Sequence, residues 1–184
     1  MLNLDPIWLP DTQQIHFRQL LEAMARPGKC YPLTTVPEEG PGVLAVLSML
    51  LDAEVSLADP NDLLRSHDWP MLQATSASAE QADYVVCNGN RVPSFTPKLG
   101  TLPRPEQSAT LILVVDKLGA GDTQLRLTGP GIADTENLRI KGLDEQWLAM
   151  REDWVCAFPL GVDLILVDDK SLAALPRTTK VEVR

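Results

Sequence analysis

The chain has 184 residues and a formal net charge of −9. That length suits one domain, which buries roughly 70% of the surface its unfolded form exposes, so no disulfide or metal is needed to hold a core. An acidic chain with no local cluster of Lys and Arg repels nucleic acid and anionic membranes, which excludes non-specific binding to either.

Three cysteines, Cys30, Cys87 and Cys156, are widely spaced and form no CxxC pair. They read as free thiols of a reducing cytoplasm. The N-terminal residues carry no basic segment followed by an apolar run of the kind a signal peptide needs. The fifteen prolines and eleven glycines point to many turns.

Asp11 or Thr12 can cap a first helix over Gln13–Ala25. Phe17, Leu20, Leu21 and Met24 share one face of it, and Arg26-Pro27-Gly28 stops it. A second helix from about Val43 to Leu51 is apolar nearly all round and belongs between layers. Val55–Ala58 reads as a short strand, Asn61–Ser66 as a short helix and Tyr84–Cys87 as a strand. Four prolines, Pro93, Pro97, Pro103 and Pro105, make 92–105 an extended connection. Thr110–Val115 is a continuous apolar run, the pattern of a strand buried on both faces. Gln124–Thr128 reads as its neighbour, with Gly119-Ala120-Gly121-Asp122 as the turn. Asp144–Glu152 forms an amphipathic helix through Trp147, Leu148 and Arg151. Val162–Val167, Leu172–Leu175 and Lys180–Val183 are further strands. The sum is an α/β fold, a single-domain layered structure over 1–184 with a central mixed sheet.

The chemistry-bearing motifs are sparse. The two histidines, His16 and His67, are far apart and no paired cysteines accompany them, so no metal site is expected. There is no GxSxG elbow and no GxxxxGK[ST] loop. Cys87 and Cys156 lie in or beside apolar segments and read as small core residues. Gly129-Pro130-Gly131 follows a strand, so the amides of Gly129 and Gly131 with Thr128 are a candidate anion site. Pro130, however, removes one donor such a cradle would use. Pro176-Arg177-Thr178-Thr179-Lys180 offers a guanidinium and two hydroxyls for an oxyanion, and Arg26 can join from the end of the first helix. On the residues alone the plainer readings prevail: a glycine turn, and ordinary edge-strand residues.

Four stretches go further. They are Phe17-Arg18-Gln19-Leu20-Leu21-Glu22-Ala23-Met24 with Pro27-Gly28; Gly100-Thr101, Pro105-Glu106 and Ala109–Leu113; Leu125–Ile132; and Phe158–Leu166 running on to Pro176–Val183. In this order they resemble the PhnH family of bacterial phosphonate degradation. The region 34–95 matches only loosely. The resemblance implies a homodimer with a fold similar to the large domain of pyridoxal-phosphate-dependent transferases, without that cofactor or its site. It implies membership of a carbon–phosphorus lyase core complex with PhnG, PhnI and PhnJ. With PhnL, that complex transfers an alkylphosphonate to the ribose of ATP, giving ribose 1-alkylphosphonate 5-triphosphate, and PhnJ later cleaves the C–P bond.

Two kinds of role are open. One is a non-catalytic organising subunit. The other is an enzyme subunit that binds nucleotide or phosphonate through Arg26, Thr128, Gly129, Gly131, Arg177 and Thr178. The second expects Arg177, Thr178 and the Gly129–Gly131 turn to lie together on an accessible surface.

Overall fold

Runs of Val, Ile and Leu bounded by turns build a seven-stranded sheet. In a computed structural model that describes residues 5–37 and 41–184, its strands are β1 (Tyr31–Pro32), β2 (Ser56–Ala58), β3 (Thr75–Ser76), β4 (Tyr84–Asn88), β7 (Thr110–Val114), β10 (Asp163–Val167) and β11 (Ser171–Leu175). Their order is β1-β11-β10-β7-β4-β2-β3. The strands from β10 through β7, β4 and β2 to β3 are parallel, and β11 returns antiparallel to β10 and also pairs antiparallel with β1. The sheet is therefore mixed.

Successive side chains of a strand point to opposite faces, and both faces here are covered. Val86, Ile112, Ile165, Val167, Leu172 and Ala174 pack on one side with Leu20, Ala23 and the apolar residues of α2. Val85, Cys87, Leu111, Leu113, Leu164, Leu166 and Leu175 pack on the other side with Leu125, Leu127, Leu138, Ile140, Trp147 and Trp154. The first cover consists of α1 (Pro10–Ala25), α2 (Val43–Leu50) and the single turn α3 (Trp69–Leu72). The second consists of α4 (Gln146–Val155) and a small antiparallel sheet of β8 (Lys117–Thr128), β9 (Glu136–Lys141) and β12 (Lys180–Val183), in the order β12-β8-β9. Each fully buried Leu on these faces contributes about 1.5–3 kcal/mol of transfer free energy.

Several expectations change. α1 starts at Pro10 with no side-chain cap. Its buried residues are His16, Leu20 and Ala23, whereas Phe17 and Leu21 are exposed. The packing face is thus turned away from the one the apolar pattern marks, and a histidine occupies its middle. His16 Nε2 lies 3.3 Å from the Thr35 amide, which donates to it. Asn61–Ser66 is not a helix. The Asp59 carboxylate accepts the Leu63 and Leu64 amides, Asn61 accepts the Asn88 amide, and Asp62 has φ 54°. Such side-chain bonds hold a turn instead.

The proline-rich stretch ends in a hairpin, β5 (Leu99–Thr101) with β6 (Arg104–Ser108). Strand β8 belongs to the small sheet, not beside β7. Leu118 and Thr123 both face Ile140, so Gly119–Asp122 is an excursion inside one long strand. Gly121 sits there at φ 132°, where a Cβ would meet the Ile140 carbonyl oxygen at 2.2 Å. Cys156 is exposed, while Cys87 is buried as expected, with its thiol pushed up to about 12 chiefly by burial. No helix among the described residues is long and apolar enough to cross a membrane.

Candidate functional site

Arg177 follows β11, and its neighbours come from distant segments. Asp163 opens β10, and its Oδ1 accepts the Arg177 amide at 2.8 Å. The guanidinium Nε donates to Asp163 Oδ1 at 3.4 Å, and one terminal nitrogen donates to Asp163 Oδ2 at 2.7 Å and to Ser108 Oγ at 2.6 Å. The other donates to the carbonyls of Pro105 at 3.3 Å and Pro159 at 3.1 Å. A guanidinium has five N–H donors, and here all five have acceptors within the chain. The pair is mostly out of water, at 16% and 19% side-chain exposure. Arg177 therefore fastens the β5–β6 hairpin and the Phe158-Pro159 loop to the end of the central sheet.

The other sequence-marked residues gather nearby through their backbones. Thr128 is paired with Lys180 across β8 and β12. Gly129 lies against Thr178, where a Cβ would come within 2.9 Å of the carbonyl oxygen. Gly131, at φ 82°, lies against the end of α1, where a Cβ would come within 2.1 Å of the Ala25 carbonyl oxygen. The 129–131 turn is thus wedged between the residue before Arg26 and the segment after Arg177. The side chains converge less than the backbones do. The Arg26 guanidinium is exposed and pairs with Glu22 at 3.1 Å, one helical turn back.

An accessible cleft of about 460 Å³ opens beside this segment, lined by Glu152, Val155, Cys156, Phe158 and Arg177 to Lys180. Thr178 and Lys180 are exposed. Beneath the segment lies Arg151, 1% exposed. One of its terminal nitrogens donates to the carbonyls of Pro176 at 2.6 Å and Thr179 at 3.0 Å. Its Nε, Thr179 Oγ1 and Trp147 Nε1 are buried without a hydrogen-bond partner among the described residues. Burial pulls the Arg151 pKa down from its ordinary value, opposed by the negative charges of Glu152 and Asp163. Asp163 thus stands between two guanidiniums, and the local balance is positive in a strongly acidic chain. The sequence carries a sign of this arrangement: Trp147, Arg151 and Trp154 follow i, i+4, i+7, which sets a charge on the apolar stripe of α4.

Other polar clusters serve the scaffold. Asp83 joins Ser56 and Lys98 beside a second cleft of about 440 Å³. Lys98 is therefore engaged in an ion pair. Burial alone would raise the Asp83 pKa, but its bonds to Lys98 and Ser56 outweigh this and lower it. Asp168 behaves the same way: burial is outweighed by hydrogen bonds from the Leu118, Lys170 and Ser171 amides and the Ser171 hydroxyl, so its pKa is lowered. No group of three or more His, Cys, Asp or Glu among the described residues could hold a metal ion.

Comparison with known proteins agrees with the sequence resemblance. The profile of the PhnH family, described as bacterial phosphonate metabolism protein, matches residues 7–182. HtxG of Stutzerimonas stutzeri, named as a C-P lyase subunit protein, is 44% identical over 97% of this chain and 90% of its own length. The PhnH subunit of alpha-D-ribose 1-methylphosphonate 5-triphosphate synthase from Rhizobium meliloti (strain 1021) is 29% identical over 97% of this chain and 92% of its own. A match across nearly every described element, from the turn before α1 to β12, assigns the chain to the PhnH family of bacterial phosphonate metabolism proteins.

Proposed function

We propose that the chain is a cytoplasmic subunit of the carbon–phosphorus lyase core complex in phosphonate catabolism, and that it organises the complex without supplying catalytic groups. It would act with PhnG-, PhnI- and PhnJ-type subunits and as a pair of its own copies. There it supports transfer of an alkylphosphonate to ATP to give ribose 1-alkylphosphonate 5-triphosphate. Beyond family membership, the use made of Arg177 carries the reading. With all five donors engaged internally, it has none left for a phosphoryl group. The two elements it fastens present Leu102 at 72% exposure and Phe158 at 70%. Large apolar side chains held rigidly in water favour a subunit interface.

The test is co-expression of the tagged chain with the three partner subunits. The variant carrying Leu102→Asp and Phe158→Asp should lose co-purification of partners or of its own second copy, while its melting temperature stays unchanged, because neither side chain is in the core. A variant that still pairs with its own second copy and still co-purifies with all three partners would count against the reading.

One observation favours a second role. Lys180 and Thr178 edge a cleft above the buried Arg151, whose side chain forms no salt bridge among the described residues, which suits an anionic nucleotide or phosphonate. Saturable ATP binding lost in Lys180→Ala would make the chain an enzyme subunit.

A further inference from the structure

Among the described strands, β12 pairs with β8 on one side only. The Arg184 amide donates to the Gln124 carbonyl at 2.9 Å, which fixes the phase of the antiparallel ladder. Residues 180, 182 and 184 then exchange bonds with β8, and the amides and carbonyls of Val181 and Val183 face outward. Among the described residues no proline or bulge interrupts β12 and no further strand pairs with it; these are usual protections of an exposed strand.

The side chains of Val181 and Val183 turn toward α4. With Leu148 and Ala149 they floor a groove of about 390 Å³, whose rim carries Glu145 and Glu152. Positions 145, 148, 149 and 152 form one stripe of the helix. Neither glutamate forms a salt bridge among the described residues, although the charge of Glu152 is felt by the buried Arg151. An open strand edge thus runs beside an apolar floor with an acidic rim.

We propose that this edge and groove receive an extended segment of a partner protein, added as a fourth strand to the small sheet. The segment alternates, placing apolar side chains on Val181, Val183, Leu148 and Ala149, and Lys or Arg side chains against Glu145 and Glu152. Main-chain bonds to Val181 and Val183 hold it, the floor selects apolar residues and the rim selects basic ones. The acidic rim argues for a foreign segment over a second copy of β12. In a β12–β12 pairing the Glu145 and Glu152 rims of the two copies would be brought together, like charge on like. The proposal goes beyond the subunit reading and does not depend on it.

The probe is a short blocked peptide in which groove-facing Lys, Val, Val and Lys alternate with Thr, compared with its Glu counterpart. Titration followed by amide NMR should move the Val181 and Val183 resonances and slow their hydrogen exchange. Val183→Pro removes only an outward amide, so it should abolish binding while leaving the β8 ladder and the melting temperature intact. Glu145→Lys with Glu152→Lys should weaken the basic peptide about tenfold and give the acidic one the advantage. The charge-reversed variant decides the matter if Val183→Pro fails to fold. Binding that ignores both variants, or no binding, overturns the proposal. So does finding the Val181 and Val183 amides already protected in the free protein, with Val183→Pro halving its mass, since a second copy would then hold the edge.

Discussion

Arg177 is the residue whose role differs most from what its neighbours in sequence suggest. An Arg beside two threonines and a lysine looks like an anion contact, yet its acceptors lie 14, 69 and 72 positions away, at Asp163, Ser108 and the Pro105 carbonyl. Removing one partner of a buried, hydrogen-bonded ion pair leaves the other charge uncompensated and costs about 3–5 kcal/mol. Arg177→Ala should lower the denaturation free energy by that order. Arg177→Lys should recover little of it, because an ammonium cannot reproduce a planar fork with five donors. Urea unfolding of the two variants checks both statements. A loss below about 1 kcal/mol for Arg177→Ala would mean that the pair holds nothing together.

At the scale of elements, the legible parts were those whose residues agree with one another. Strands β7 and β10 are unbroken apolar runs, and α2 is apolar all round, so tertiary packing had nothing to override. The parts that escaped had mixed signals. Strand β9 alternates Leu138 and Ile140 with Asn137, Arg139 and Lys141, a half-exposed pattern too polar to stand out. The β5–β6 hairpin carries Pro103 and Pro105, which read as an extended connection until the edge position of the strand explains them. The register of α1 turned on His16, a polar residue that burial keeps neutral. Of the candidate site, the meeting of the 129–131 turn with Thr178 was foreseeable from two strand ends. Arg151 beneath them was not, because the depth of a helical arginine depends on what packs over it. The turn offers its own check: Gly131→Ala sets a Cβ on the Ala25 carbonyl oxygen at a positive φ. Such strain costs of order 1–3 kcal/mol, and thermal unfolding should show it. A neutral result would mean that the end of α1 yields easily.

For the molecule as a whole, acid is the vulnerable direction. Burial lowers the His16 pKa from 6.5, so below that value the unfolded chain binds a proton that the folded chain resists. Stability therefore holds above pH 6.5 and is lost as pH falls toward the folded value. The lowered Asp83 and Asp168 add a second loss below 3.8, as their carboxylates are forced to protonate. Urea midpoints should fall between pH 7.5 and 5.5, and His16→Gln should flatten that step without altering the one at lower pH. A His16→Gln profile that matches the native protein would place the first loss elsewhere.

The order of the central sheet also bears on how the protein is made. Strand β1 finds its partner only in β11, and β7 finds one of its two in β10, so early segments wait on late ones. A ribosome that has finished β9 has released a chain whose central strands still lack a neighbour and whose apolar faces are half covered. Contacts between such distant segments slow folding, and partly paired strands invite aggregation. Closure of the core thus waits on the synthesis of β10 and β11. The cell's burden in producing this protein falls on guarding the nascent chain until β10 and β11 emerge.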